Sequence, residues 1–127
     1  MITAEDVAEL VEQKGHVSMV EILRLAGDWG EGNKDLQWQE NLYLWVDMSD
    51  GLVEVMMEVQ ERKLIHPHPD EIRGQWPMSH FIDGGILNIP IAKRIPKGGY
   101  KKPHWLPVVF QPGQRCSDKD CLMESAK

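Results

Sequence analysis

Residues 49–69 read SDGLVEVMMEVQERKLIHPHP, an amphipathic segment that runs straight into a proline-marked one. At 100° per residue, Leu52, Val53, Val55, Met56, Met57 and Val59 share one broad apolar arc. Asp50, Glu54, Glu58 and Glu61 take the opposite arc, with Arg62 at its edge. Ser49 stands where an N-cap belongs, Asp50 suits the positive start of a helix, and Arg62 and Lys63 suit its carbonyl end. The pattern predicts a helix capped at Ser49, then a strand that begins at Leu64 and Ile65. That strand can only be an edge or terminal one, because Pro67 and Pro69 cannot donate to a ladder.

Two shorter helices are expected upstream. Thr3 with Asp6 three residues on reads as a capping box, Ala4, Val7, Ala8, Leu10 and Val11 form a buried stripe, and Gly15 ends the segment. Ser18 with Glu21 repeats the box, Ile22, Leu23 and Leu25 give the apolar face, and Gly27 stops it. Residues 27–41, GDWGEGNKDLQWQEN, have the composition of a loop, with Trp29 and Trp38 as lids on the core. The run LYLWV that follows reads as a short extended piece, or as the turn into the central helix.

Downstream, the polar stretch DEIRGQWP leads to MSHFI, read as extended, and Asp83-Gly84-Gly85 signals a hairpin into ILNIPIA. From Ala92 the prolines at 96, 103, 107 and 112 forbid a helix, so an extended arm with one strand near residues 108–110 is expected. Length points to one domain, residues 1–115 including a basic arm at 92–107, followed by a flexible tail at 116–127. Cys116 and Cys121 lie in that tail and cannot staple the body, so an oxidising compartment is not indicated. No apolar run approaches the roughly 18 residues of a membrane span, and the first residues are acidic where a signal peptide is basic. The expected address is cytoplasmic, with no membrane partner.

The net charge of -6 conceals a division. Residues 1–61 carry 14 acids against 3 Lys and Arg, whereas residues 62–127 carry 6 against 11. An acidic whole opposes unspecific clinging to nucleic acid, yet a localised basic arm can still meet phosphates if the acidic part faces away.

Helix, helix, loop, helix and then a hairpin is an order that resembles the winged-helix branch of the helix-turn-helix proteins. Residues 45–69 resemble the place where such a domain's third helix hands over to its first wing strand, and the likeness covers roughly residues 3–90. It implies a three-helix winged-helix-like cluster and a small antiparallel β-hairpin; with the proline-rich extended C-terminal arm read from composition, the expected fold is α+β. It also implies a DNA-binding, regulatory role in which the third helix reads the major groove. Here that helix would offer Asp50, Glu54, Glu58 and Glu61 to a polymer with one negative charge per about 1.7 Å of axis, so groove reading by it is disfavoured.

The arm is the richer candidate. Lys93, Arg94, Lys97, Lys101 and Lys102 place five cations in ten residues with no acid among them, and Tyr100, His104 and Trp105 add flat surfaces. Cations track phosphates, aromatics stack on bases, and Gly98-Gly99 lets backbone amides approach an anion. The bland alternative is a solvated loop, or one that docks on acidic helices of its own or another chain. His66 and His68 alternate as a chelating pair would, with Asp70, His80 or His104 to complete a site, but the prolines account for that segment without metal. His80 and Asp83 can be written as acid and base without a pocket to support them, and no nucleophile, phosphate-loop or zinc-protease motif occurs. Met56, Met57, Met19, Met48 and Met78 read as core filling, while Trp76 and Trp105 are candidates for a contact surface.

The reading is therefore of a non-enzymatic regulatory or accessory protein without metal or cofactor. It contacts nucleic acid through Lys93, Arg94, Lys97, Tyr100, Lys101, Lys102 and Trp105. The competing reading is a protein-interaction adaptor or homodimer in which the arm meets Glu54, Glu58 and Glu61.

Overall fold

The computed structural model describes residues 1–71 and 73–114. Helix α1 (Ala4–Lys14) opens on a complete capping box: the Thr3 hydroxyl accepts from Asp6 N–H at 3.2 Å, and the Asp6 carboxylate accepts from Thr3 N–H at 2.9 Å. Val17–Ser18 forms the short strand β1, and helix α2 (Met19–Ala26) follows at once. Gly15 and Gly27, both at positive φ, close the two helices. Ser18 holds the N-cap position of α2 by backbone conformation only, since its hydroxyl turns away to Asp83 at 2.6 Å and makes no capping box with Glu21.

Residues 27–41 are not a loop. After a single 3-10 turn (Gly27–Gly30), strand β2 (Glu31–Gln39) pairs antiparallel with β3 (Leu42–Met48) around Asn41, which takes the left-handed conformation that asparagine tolerates. The reason this strand escapes a reading of composition is its position. It lies at the edge of the sheet, its register with β3 is irregular, and only Leu36 of its nine residues is buried. An exposed edge strand needs no apolar alternation. Strand β3 carries the apolar pattern for both, burying Leu42, Leu44, Trp45 and Met48.

Helix α3 (Asp50–Glu61) forms where the pattern places it, with the Ser49 hydroxyl accepting from Leu52 N–H at 3.0 Å. Leu52, Met56 and Val59 are buried, Val53 and Val55 are half-buried, and Met57 stays in solvent. Strand β4 (Ile65–Pro69) is an edge strand, paired only with β6 (Val108–Pro112), whose other side takes β1. The second sheet runs β2-β3-β5, with the two-residue β5 (His104–Trp105) parallel to β3. The fold is thus mixed α+β, with two three-stranded sheets.

Two corrections concern residues 78–92. MSHFI is helix α4 (Met78–Asp83) rather than a strand, and Asp83-Gly84-Gly85 is its end: Gly84 is the left-handed cap, with no hairpin there. Residues 86–92 run alongside without a ladder beyond one bridge from Ile91 to Trp105. The only two-stranded turn of the hairpin type among the described residues, β2–β3, therefore comes before α3, not after it. α1 packs on α3, and α2 packs on α4, so the helices form two pairs around the sheets.

At the centre lies Trp105, fully buried, its indole N–H donating to the Leu44 carbonyl at 3.2 Å. Its ring meets Trp45 and His80 edge-on at 5.7 and 5.2 Å between centroids. A contact-surface role for this residue is excluded by that burial. Replacing Trp105 by Ala should lower unfolding free energy by about 3–5 kcal/mol, as for other large core truncations. Denaturant melts followed by far-ultraviolet circular dichroism would show it, whereas a solvent-facing stacking residue would change the midpoint hardly at all.

Candidate functional site

The loop of residues 92–103 is held at both ends by backbone. Ala92 N–H donates to Trp105 O at 2.7 Å, and Trp105 N–H donates to Pro90 O at 2.8 Å. Its middle is fastened to the β2–β3 turn: Gln39 Nε2 donates to Pro96 O at 3.0 Å, and Asn41 Nδ2 donates to Tyr100 O at 2.9 Å. Gly99 sits at φ 82° against the Glu40 carbonyl, where a Cβ would lie 2.7 Å from the oxygen, so only glycine fits. The chain is thus a fastened loop whose cations point outward.

Lys93, Arg94, Lys97, Lys101 and Lys102 are all exposed, and among the described residues none of them enters an ion pair. Tyr100 stacks on His104 at 3.8 Å between centroids and 18° between planes, and its hydroxyl donates to Arg94 O at 2.9 Å. Of the aromatic residues expected to face a ligand, Tyr100 remains at the surface, half-buried, and Trp105 does not. Six of the seven residues assigned to nucleic acid therefore lie on one continuous loop.

The acidic face of α3 is open. Glu54, Glu58 and Glu61 are exposed, and the loop cations do not reach them. Among the described residues Arg62 answers part of this charge, bonding Glu5 of α1 at 2.6 Å and Glu58 at 2.9 Å, and Lys34 lies 3.9 Å from Asp50 at the start of the helix. The hydrogen bond from Arg62 is also what holds the Glu5 carboxyl below its ordinary value.

A buried polar pair that the sequence pattern leaves unannounced joins distant segments. Asp70, just past β4, and His80, on α4, meet at 2.7 Å between Oδ2 and Nδ1, both shut away from solvent. The Asp70 carboxylate also accepts from Ser79 and His80 N–H at 2.8 and 2.9 Å, so it caps a helix whose own N-cap, Pro77, offers no side-chain acceptor. His80 Nε2 accepts from Met19 N–H at 3.3 Å, and the ring stacks on Trp45 at 5.5 Å. A carboxylate on one ring nitrogen is the way catalytic histidines are oriented, but here the other nitrogen is occupied by backbone and the ring is 0% exposed. The pair works as a pin. Asp83, written with His80 as an acid and base, instead accepts from Ser18.

The remaining candidates separate. His66 places Nδ1 and Nε2 each 3.2 Å from oxygens of Gly113 and Gln111, and His68 Nδ1 lies 3.0 Å from Pro69 O. Asp70 and His80 are engaged with each other rather than with these rings, and among the described residues no group of three His, Cys, Asp or Glu is placed to hold a metal. Cys116 and Cys121, with the tail, lie outside the described residues. Trp76 is half-buried beside the exposed Phe81. Comparison of the chain with protein-family models, with curated proteins and with solved structures gives no match.

Burial by itself pushes the Asp70 carboxyl up, but the bonds from the His80 ring and the His80 and Ser79 N–H groups outweigh it and hold the value below normal. A depressed folded value means stabilisation that is complete above the unfolded value, near ~3.9, and lost as pH falls through the folded one. Asp70→Ala, which removes the acceptor from the His80 ring and from the Ser79 and His80 N–H groups in the core, should cost about 1–3 kcal/mol at neutral pH for the hydrogen-bonding groups left unsatisfied. In urea melts from about pH 6 down to about pH 3, the gap between wild type and Asp70→Asn should narrow with acid. A gap that widens instead would reject this account of the pin.

Proposed function

We propose that this protein is a non-enzymatic accessory factor that contacts nucleic-acid phosphates through residues 93–102. The observation that carries this reading is the set of five exposed cations, none of them in an ion pair among the described residues, on a loop fastened to the β2–β3 turn. A fastened loop loses little conformational entropy on binding, and each neutralised phosphate releases counterions. The readers are Lys93, Arg94, Lys97, Lys101 and Lys102, with the Tyr100–His104 stack offering a face to a base. Affinity from such a surface is largely independent of sequence, because phosphate contacts position without specifying. The acidic α3 would point away from the polyanion, which agrees with the absence of ion pairs between it and the loop among the described residues.

A non-enzymatic reading is supported by the only buried carboxylate–histidine pair described, which is saturated by backbone. No helix is long and apolar enough to cross a membrane among the described residues. The second reading, an adaptor or homodimer, is favoured by one observation: Glu54 and Glu61 lie exposed with no cation of their own chain beside them among the described residues.

Labelled duplex and single-stranded oligonucleotides should bind at low ionic strength, with an affinity that falls steeply with salt. Lys97→Glu with Lys101→Glu should weaken binding at least tenfold and lower the slope of log K against log salt by about 2 on duplex. No association at low salt, or a double variant that binds as the wild type does, would sink the nucleic-acid reading.

A further inference from the structure

Two apolar surfaces are left open on the described chain. The first is a groove of about 420 Å³ between α3 and the β2–β3 hairpin. Leu36 and Leu44 form its floor, Trp38, Val53 and Met57 its walls, and Asp35 and Glu61 are exposed carboxylates at its rim. The second is a knob: Phe81 and Ile82 on the last turn of α4 are each 70% exposed, beside a shallow cleft that Trp76, Met78 and Lys93 line with Phe81. Large side chains so far in water cost solvation free energy, and contiguous apolar surface of this kind marks sites of contact.

We propose that these two surfaces are the halves of one interface, so that the α4 knob of one copy enters the α3–hairpin groove of the next. The charge on the Phe81 side of the knob favours this occupant. The groove's rim carries Asp35 and Glu61, Lys93 lines the cleft beside Phe81 whereas Glu21 and Asp83 lie on the Ile82 side, and Lys93 would meet Asp35 or Glu61 as Phe81 enters. The groove is of a size that takes small ligand-sized groups, about 300–1,000 Å³, so one ring and one branched side chain do not overfill it. Met57, half in solvent, has the flexible thioether that adapts to an incoming ring. Because groove and knob have no lining residue in common, their contact is head-to-tail, not self-complementary. Each copy keeps one free surface of each kind, and the product is a ring or an open string of copies. The inference takes from the second reading only that the α3 face meets protein. It names the partner as another copy of this chain and does not depend on nucleic acid.

A head-to-tail contact has a signature that no other arrangement shares. Phe81→Glu removes the knob and leaves the groove; Met57→Glu does the reverse. Sedimentation velocity on the full chain should show wild type growing beyond dimer with concentration, and each variant alone associating about 30-fold more weakly, the loss expected of a central anchor. Mixed in equal amounts, the two variants should form a species of two chains that stops there, since one intact knob meets one intact groove. As a check independent of the apolar changes, Glu61→Lys and Lys93→Glu should each weaken association, and the double variant should recover it. Circular dichroism melts of all variants should match wild type, because every altered side chain is exposed. A mixture no larger than its components, or a double variant with no recovery, would overturn the head-to-tail contact while leaving a symmetric homodimer standing. Wild type that stays monomeric at all concentrations would overturn both.

Discussion

The hydrogen bond between Asp70 and His80 is the constraint on which the rest of the chain is assembled. Asp70 is reached from β4, and its own N–H donates to Pro107 O, which ties it to the approach of β6. His80 carries α4, holds the first N–H of α2 through Met19, and lies between Trp45 of β3 and Trp105 of β5. One ion-sized site therefore fixes both sheets and two helices relative to each other. Such a pair is retained at a desolvation cost that an apolar pair would avoid. What it provides is direction: five hydrogen-bonding demands, from two carboxylate oxygens, two ring nitrogens and the open start of α4, are met together only in this arrangement.

The same pin explains which parts of the fold were legible in sequence. α1 and α3 were, because caps and apolar periodicity act within a dozen residues and both helices bury one stripe. β4 was, because two prolines confine a strand to an edge whatever its neighbours are. β2 was not, since its nine residues are ordered by hydrogen bonds to an apolar partner and not by burial of their own side chains. α4 was not, since its six residues carry no periodic stripe and its start is capped by a carboxylate about ten residues upstream rather than by a neighbour. Asp70 was legible only as a member of the HPHPD alternation. The pairing that matters joins it to His80 through folding of the intervening segment, a long-range fact that no spacing encodes.

Site residues divide along the same line. Long basic side chains on a proline- and glycine-rich stretch have few ways to be buried, so the exposure of Lys93, Arg94, Lys97, Lys101 and Lys102 follows from composition. Trp105 sits in the same stretch and obeys the opposite rule. It is pulled inward by β5, whose two residues pair with β3 and deliver the indole N–H to Leu44 O. An aromatic residue near cations reads as a stacking platform until the strand that carries it is known. Only the topology, a parallel pairing across some 60 residues, distinguishes the two.

Charge separation then acquires a structural meaning. A basic loop is fastened to the β2–β3 turn and the acidic α3 packs against β2 of the same hairpin, and the loop's bonds to Gln39 and Asn41 fix its backbone while leaving its cations exposed. Opposite charges that come within one Debye length, about 8–10 Å in ordinary salt, neutralise each other, and a loop fastened through its backbone has little freedom to make that approach. Polar hydrogen bonds at the turn thus keep two complementary surfaces apart on one molecule, which is the condition under which each can be satisfied only from outside, the cations by an anionic polymer or neighbour and the carboxylates by a basic one.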